Sequence, residues 1–404
     1  MGVNSLGAPG YGFNDAALLL SSIYSQATGK STITPTNLAD FVSVGQKTLS
    51  VGYDPLLQAI SQVLTRTIFS IRPYTEKFSG LLATGGRWGN HVRKLKIADQ
   101  DWEEDGRYYE TTSDIWDDGD SADQWVIKKP KPLQLNFYGQ NVFGDHVTIF
   151  ADQLDVAFQS PEELMQFTGM ITTNMSNRLA KARESLARTA LTNFMASKNI
   201  LGTGHVIHLI DEYNSQTSSG ITAANVRSAA NWPNFARWLA GYLMTLSDMM
   251  TEYTGLYQQT VTGYTINQHT PKAMQKLYLL AGPMNSMITE VLSTTYHDEL
   301  ARIGDYESVN FWQSPNAPDE IKVTPTYMDS TGAATTGAAQ SMSNVLGILF
   351  DQDAVVTHQI NERILPTMMN ARSTYSNLWY HMALQYANDV SEKGIVLLLD
   401  SATP

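Results

Sequence analysis

No cysteine occurs in the 404 residues. That excludes disulfides, thiol nucleophiles and cysteine metal sites together, and it fits a chain made in a reducing compartment. Charge is sparse, at 16% of residues, and lopsided: 27 Lys and Arg stand against 39 Asp and Glu, a formal −12. Such a balance argues against a dedicated nucleic-acid binder but leaves room for one local basic surface. No apolar run approaches the roughly 20 residues of a membrane span. The opening Met-Gly-Val-Asn-Ser-Leu lacks the basic and apolar regions of a secretory signal, and Leu6 stands where a myristoylation motif wants Ser or Thr. There is no low-complexity tract and no internal repeat. What remains, 43% hydrophobic residues over this length, suffices for a sizeable core in two or three domains.

Enzyme signatures are thin as well. Gly202-Thr-Gly204 is followed by no third glycine at dinucleotide spacing, and Gly85-Gly86-Arg87 lacks the lysine and hydroxyl of a phosphate loop. His205 and His208 fall three apart in an expected strand, so they point to opposite faces and share no metal without a bend. His297, Asp298 and Glu299 are sequence neighbours that splay apart on a helix. Asn174-Met-Ser176 matches a glycosylation pattern by chance, inside a helix. No catalytic, cofactor or metal residue is assigned.

The strongest positive signal runs from Ser160 to Lys198 and predicts one long helix. Ser160, Pro161 and Glu163 mark its start as cap, first-turn proline and capping-box glutamate. Leu164, Phe167, Ile171, Met175, Leu179, Ala182, Leu186 and Ala190 then recur every three or four residues as one narrow apolar stripe. Such a helix is roughly 55 to 60 Å long, far beyond the roughly 11- or 12-residue helix of an ordinary domain. A narrow stripe on so long an element suits a beam across a thin subunit. Arg178, Lys181, Arg183 and Arg188 form its basic middle: a solvated face, or a face for a polyanion or neighbouring subunit.

Ahead of it, a Gly/Pro-rich lead and a helix over Asn14 to Gln26 read as an arm, followed by helical patterns at Leu38 to Leu49 and Pro55 to Ile68. From Ile71 to Phe150 the pattern changes to strands and turns. Arg93, Lys94 and Lys96 lie in one alternating stretch, and Lys128, Lys129 and Lys131 in another. Between them runs an acidic, aromatic span from Asp99 to Asp123, with Trp102, Glu103, Glu104, Asp105, Tyr108, Tyr109, Trp116 and Asp117, and Trp125 beside it. Too many carboxylates lie here to bury unpaired. The span reads either as a mobile surface loop or as a long projecting hairpin whose aromatics meet another chain.

Beyond the long helix, the pattern predicts a strand at Val206 to Ile210, a polar turn at Tyr213 to Ser219, a helix over 225 to 255 and a strand at Thr260 to Asn267. A helix is expected from Pro271 through Leu280 and another near Met284 to Leu292. Strands follow at Asn344 to Asp351 and Gly394 to Leu399, with Thr374 to Ala387 as strand or short helix.

The order of arm, extended loop, long spine helix and a later α/β region resembles the major capsid proteins of tailed bacteriophages, with the Hong Kong 97 fold. The resemblance rests on Leu38 to Phe78, Arg93 to Phe137, Ser160 to Lys198 and the Asn344 to Asp351 strand followed by Ala354 and Val355. It implies an α+β fold divided into an arm (1–70), an extended β-hairpin loop with its strands (71–150), a spine helix with peripheral domain (151–224), an axial domain (225–345) and returning C-terminal strands (346–404). It also implies self-assembly into pentamers and hexamers of an icosahedral head around packaged double-stranded DNA, in a bacterial cytoplasm. A separate scaffolding protein, a portal and decoration proteins are the expected partners; no membrane or cofactor is expected. Arg93, Lys94, Lys96, Trp102, Glu103, Glu104, Asp105, Trp116, Asp117, Lys128, Lys129 and Lys131 then become intersubunit residues of the loop, and Arg178, Lys181, Arg183 and Arg188 candidates for the DNA-facing side. An encapsulin-like compartment and a hydrolase using the acidic aromatic span are the alternatives.

Overall fold

The computed structural model of the chain describes residues 13–66, 74, 77–83, 91–99, 125, 127, 129–138, 141–202, 204–262, 264, 266–294 and 306–402. The chain divides into two compact units, each assembled from separate stretches: residues 1–89, 139–187 and 357–386 form the first, and 90–138, 188–356 and 387–404 the second.

In the first unit, helices α1 (Phe13–Thr28), α2 (Leu38–Leu49) and α3 (Tyr53–Arg66) pack with α4 (Ala151–Ala157) and the start of α5 (Pro161–Leu201). Their apolar faces meet in a core of Leu20, Phe41, Leu56, Ile60, Leu154, Phe158 and Leu164. Asn37 caps α2 by accepting from Asp40 N at 2.9 Å. Gly45 lets α2 approach the end of α4, since a Cβ there would stand 2.5 Å from the Phe158 carbonyl oxygen. The expected arm helices are therefore present and buried in a core. A four-stranded sheet completes the unit in the order β1-β13-β14-β4, where β1 is Leu82–Ala83, β4 Asn141–Phe150, β13 Val355–Pro366 and β14 Tyr375–Asn388. Along β14 the buried side chains alternate at Ser376 and Leu378 and again at Met382 and Leu384, and Met382 and Leu384 pack on Leu186 of α5.

In the second unit, β2 (His91–Ile97) pairs antiparallel with β3 (Pro132–Tyr138), from His91 opposite Tyr138 to Ile97 opposite Pro132. These are the roots of the hairpin expected from the sequence. A five-stranded sheet runs β5-β15-β12-β6-β7, built from β5 (Val206–His208), β6 (Gln275–Leu280), β7 (Glu307–Val309), β12 (Val345–Asp351) and β15 (Gly394–Leu398). Every residue of β12 and β15 is buried, as suits central strands covered on both faces. Helices α6 (Leu209–Thr217), α7 (Trp232–Thr251) and α8 (Ala281–Thr294) belong to this unit, and Tyr213, Phe235, Leu239, Leu243 and Leu246 meet Leu279, Leu349, Ile395 and Leu397 in its core. Two short ribbons pair β8 (Ile321–Val323) with β11 (Gln340–Met342) and β9 (Thr326–Met328) with β10 (Ala334–Thr336).

Several expectations are corrected. Residues from Leu209 to Thr217 form a helix where a strand end and polar turn were expected: Leu209, Ile210 and Tyr213 all bury against the core, and Ser218, at φ 55°, ends the helix in the left-handed region. The helix expected from Pro271 is one 3₁₀ turn, Lys272–Met274, followed by strand β6. Helix-forming residue types lose there to the sheet, because β6 is gripped between β12 and β7. Thr260 to Asn267 forms no strand among the described residues, only the isolated bridge between Val261 and Tyr264 and, at its border, that between Thr254 and Gln268. The 225–255 helix is shorter, beginning at Trp232.

The long helix is confirmed as the 41-residue α5, about 60 Å at 1.5 Å per residue. Its character changes along its length. Up to Ala187 a stripe is buried; from Ala190 to Lys198 every residue is buried.

Candidate assembly site at the hairpin root

Strand β2 alternates in an unusual sense. Lys94 and Lys96 point one way, into the subunit, and Arg93, Leu95 and Ile97 point the other way, into solvent. Leu95 is 64% exposed and Ile97 67%. On β3 the residue opposite Lys94, Leu135, is buried. Strand β2 thus turns its two lysines to the body, on the side where Leu135 of β3 is buried, and leaves Leu95 and Ile97 outward beside Arg93.

The lysines are received by the turn between β14 and β15. Lys94 Nζ lies 3.0 Å from Asp389 Oδ2 and 2.9 Å from Glu392 Oε1, and donates to the Asp353 carbonyl at 2.7 Å. Lys96 Nζ lies 2.9 Å from Glu392 Oε1 and donates to Ser391 Oγ at 2.8 Å. Asp389 also accepts from the Ser391 backbone at 3.0 Å, while its own N–H donates to Ala354 O at 2.8 Å. Burial alone would raise the Asp389 carboxyl, but Lys94 and Lys96 outweigh it and hold the group below its ordinary range. For Lys94, burial pulls down, whereas Asp389 and then Glu392 pull up and prevail.

Two further lysines close the node. Lys198, at the fully buried end of α5, donates to the carbonyl oxygens of Tyr257 at 2.8 Å, Glu392 at 2.9 Å and Val390 at 3.0 Å. Three acceptors match the three donors of an ammonium. Burial draws its pKa down to about 7. Lys393 donates to Glu252 O at 2.7 Å and to Thr254 Oγ1 at 3.2 Å. Just beyond β2, Asp99 accepts from Tyr253 Oη at 2.6 Å and from the Asn267 N–H at 2.5 Å. The hairpin root is therefore seated largely by ionic and hydrogen-bonded contacts. No residue pattern pointed to this node: Lys198 read as the end of the long helix, and 389–393 as an interval between strands. The one available signal was the polar tract Asp389, Ser391, Glu392, Lys393 before a strand.

His205 lies in the same unit. Burial first, and then the Lys198 charge, lower its imidazole to about 4, and its buried Nδ1 has no hydrogen-bond partner among the described residues. A folded-state pKa below the ordinary histidine value means that the unfolded chain binds more protons between about pH 6.5 and 4. Stability contributed by neutral His205 is present above that window and lost as pH falls through it. Urea titrations of wild type and His205→Gln across pH 7 to 4, about the ordinary range of the group, are expected to show a smaller acid loss in the variant.

The other sequence candidates fall as follows. Trp102, Glu103, Glu104, Asp105, Trp116, Asp117 and Lys128 lie outside the described residues. Lys129 and Lys131 are exposed ahead of β3. On α5, exposed Arg178 pairs with Asp145 at 2.9 Å, Arg183 donates to Gln359, and Arg188 donates to the Phe311 carbonyl and lies 4.0 Å over its ring. Exposed Lys181 has no ion-pair partner among the described residues. The four do not form one basic face: Arg183 and Arg188 are partly buried on contacts inside the chain. His208 Nδ1 meets Asp400 at 2.6 Å, apart from His205 in role. Among the described residues no three His, Asp or Glu are placed to hold a metal, and no helix is long and apolar enough to cross a membrane.

A β-ribbon seated beside a five-stranded sheet, a 41-residue helix and a second sheet with its helices define the α+β fold of tailed-phage capsid subunits, the Hong Kong 97 fold. A chain of the capsid of Staphylococcus phage Andhra superposes with a TM-score of 0.54 at 12% identity, covering 83% of this chain and 87% of that one. A chain of the structure titled as head fiber and inner core protein of native bacteriophage P68 gives 0.53 at 10% identity, covering 83% and 87%. No curated protein matches the sequence. The chain belongs to the Phi29-like phage major capsid protein family, whose sequence profile matches residues 23–397. It is a structural phage capsid protein that builds a shell from copies of itself.

Proposed function

We propose that the subunit closes into the icosahedral head of a tailed phage, in pentamers and hexamers, with the hairpin as the element that reaches a neighbouring copy. The observation that supports this is the inverted ribbon: lysines turned into the body at Asp389 and Glu392, with Leu95, Ile97 and, beyond β2, 77%-exposed Ile127 turned outward. An apolar outer face rooted by buried charges gains from burial against another chain. Packaged double-stranded DNA, a separate scaffolding protein, a portal and decoration proteins complete this reading, as does assembly in the bacterial cytoplasm. The DNA contact is non-specific and is carried least by Arg183 and Arg188, whose guanidinium groups are engaged within the chain. The alternative of a cargo compartment is separated by the nucleic acid content of purified shells.

The basic flank after the acidic span orients the contact by charge. Reversing Lys128, Lys129 and Lys131 to Glu is expected to lower shell yield several-fold while circular dichroism and the unfolding midpoint stay near wild type. Normal yield from a folded variant would remove this flank from the contact.

A further inference from the structure

Two helices of the second unit begin at one cleft. Trp232, the first residue of α7, and Gly282, in the first turn of α8, line a space of about 310 Å³ together with Leu280, Ser286, Arg227 and Asp319. Neither helix has an acidic residue in its first turn; Asn231 ahead of α7 makes no side-chain cap, and Leu280 ahead of α8 has no side-chain oxygen to make one. The positive end of each helix therefore lacks a local countercharge of its own. Among the described residues, no atom beyond its chain neighbours and its own helix backbone lies within 4 Å of where a Cβ on Gly282 would stand. The first turn of α8 is open to an anion.

The side chains on the wall define which anion. Trp232 is only 7% exposed, yet its indole N–H has no hydrogen-bond partner among the described residues. A buried indole N–H ordinarily meets an acceptor, and an oxygen held in the cleft supplies one. Exposed Arg227 has no ion-pair partner among the described residues, and its guanidinium fork matches an oxyanion. Asp319 then selects among oxyanions. An ionised carboxylate only accepts, so it repels sulfate or a phosphodiester, which carry no proton, and accepts from a phosphate that retains one. We infer that this cleft binds a phosphate carrying at least one proton, either free orthophosphate or the end of a phosphate monoester. Trp232, Arg227 and the α8 N-terminus are its donors and Asp319 its acceptor.

The test uses the unassembled full-length chain in phosphate-free buffer, its tryptophans labelled with nitrogen-15. Orthophosphate, methyl phosphate and sulfate are titrated in turn and followed by the indole N–H resonances and by calorimetry. One indole signal, the one missing from Trp232→Phe, is expected to move on adding phosphate, with sulfate binding at least about tenfold more weakly. Arg227→Gln, an exposed position, should weaken phosphate by about tenfold or more. Gly282→Asp, which sets a carboxylate of the chain's own on the α8 N-terminus, should abolish binding, and Asp319→Asn should remove most of the preference over sulfate; circular dichroism confirms the fold of each variant. Binding of methyl phosphate as tight as that of orthophosphate assigns the site to monoester ends; binding of orthophosphate alone assigns it to the free ion. An unmoved Trp232 signal at tens of millimolar phosphate would overturn the site. Equal binding of sulfate and phosphate, unchanged in Arg227→Gln, would also overturn it, as an adventitious ion only. The shell-forming reading stands or falls separately, since the cleft is tested on free subunits.

Discussion

Asp389→Asn is expected to destabilise the second unit by about 3–5 kcal/mol, the usual cost of removing one partner from a buried ion pair. The carboxylate is 1% exposed and sits between two ammonium groups, so the amide leaves Lys94 and Lys96 sharing Glu392 alone. The hairpin root should suffer most, because Lys94, Lys96 and Asp99 are its polar anchors. Two readouts separate a general loss from a local one. Calorimetry should show the unfolding midpoint of the second unit falling by roughly 10 °C. Hydrogen exchange below that temperature should show His91–Ile97 and Pro132–Tyr138 opening more than β12 or β15, with shell yield falling in step. An unchanged ribbon would mean that Asp389 is a passive turn residue. The pH dependence has the matching sign: a carboxylate held below its ordinary range gives stability that is present above that range and lost as pH falls through the folded-state value.

Gly347→Ala should be nearly as costly, about 2–3 kcal/mol, by overpacking and not by charge. A Cβ at this position in β12 would press on the Tyr278 carbonyl oxygen and stand 2.5 Å from Leu279 Cδ2. Neither can retreat: Tyr278 and Leu279 are buried in β6, and the pairing of β12 with β15 already shifts register between Val345 and Gly347. Chemical denaturation of the two variants should show their losses adding, since the sites share no partner. A wild-type midpoint for Gly347→Ala would mean that the strand can slide, against the packing described.

Much of this architecture is legible in the residues because the relevant signals are long and periodic. The α5 stripe, the start at Pro161, helix α2 and strand β12 each repeat a pattern over several turns or pairs, and local preference agrees there with tertiary demand. Where the two conflict, the residues mislead. The Lys-Ala-Met-Gln run before Leu277 favours helix, yet its apolar end is taken into the sheet. The node at the hairpin root was invisible for a different reason: it joins Lys94 and Lys96, read from the sequence as intersubunit loop residues, with Lys198 and Asp389, which lie about 100 and 300 residues further along the chain. The basic cluster on α5 erred in the opposite direction, since equal sign along a helix does not place Arg178, Lys181, Arg183 and Arg188 on one free face.

Electron microscopy of the chain expressed alone and with its neighbouring genes tests the central claim most directly. Closed polyhedral shells or flat sheets of hexamers are the predicted result, lost or reduced with Asp389→Asn while wild type assembles. A small monodisperse particle from wild type at every concentration and salt would contradict it.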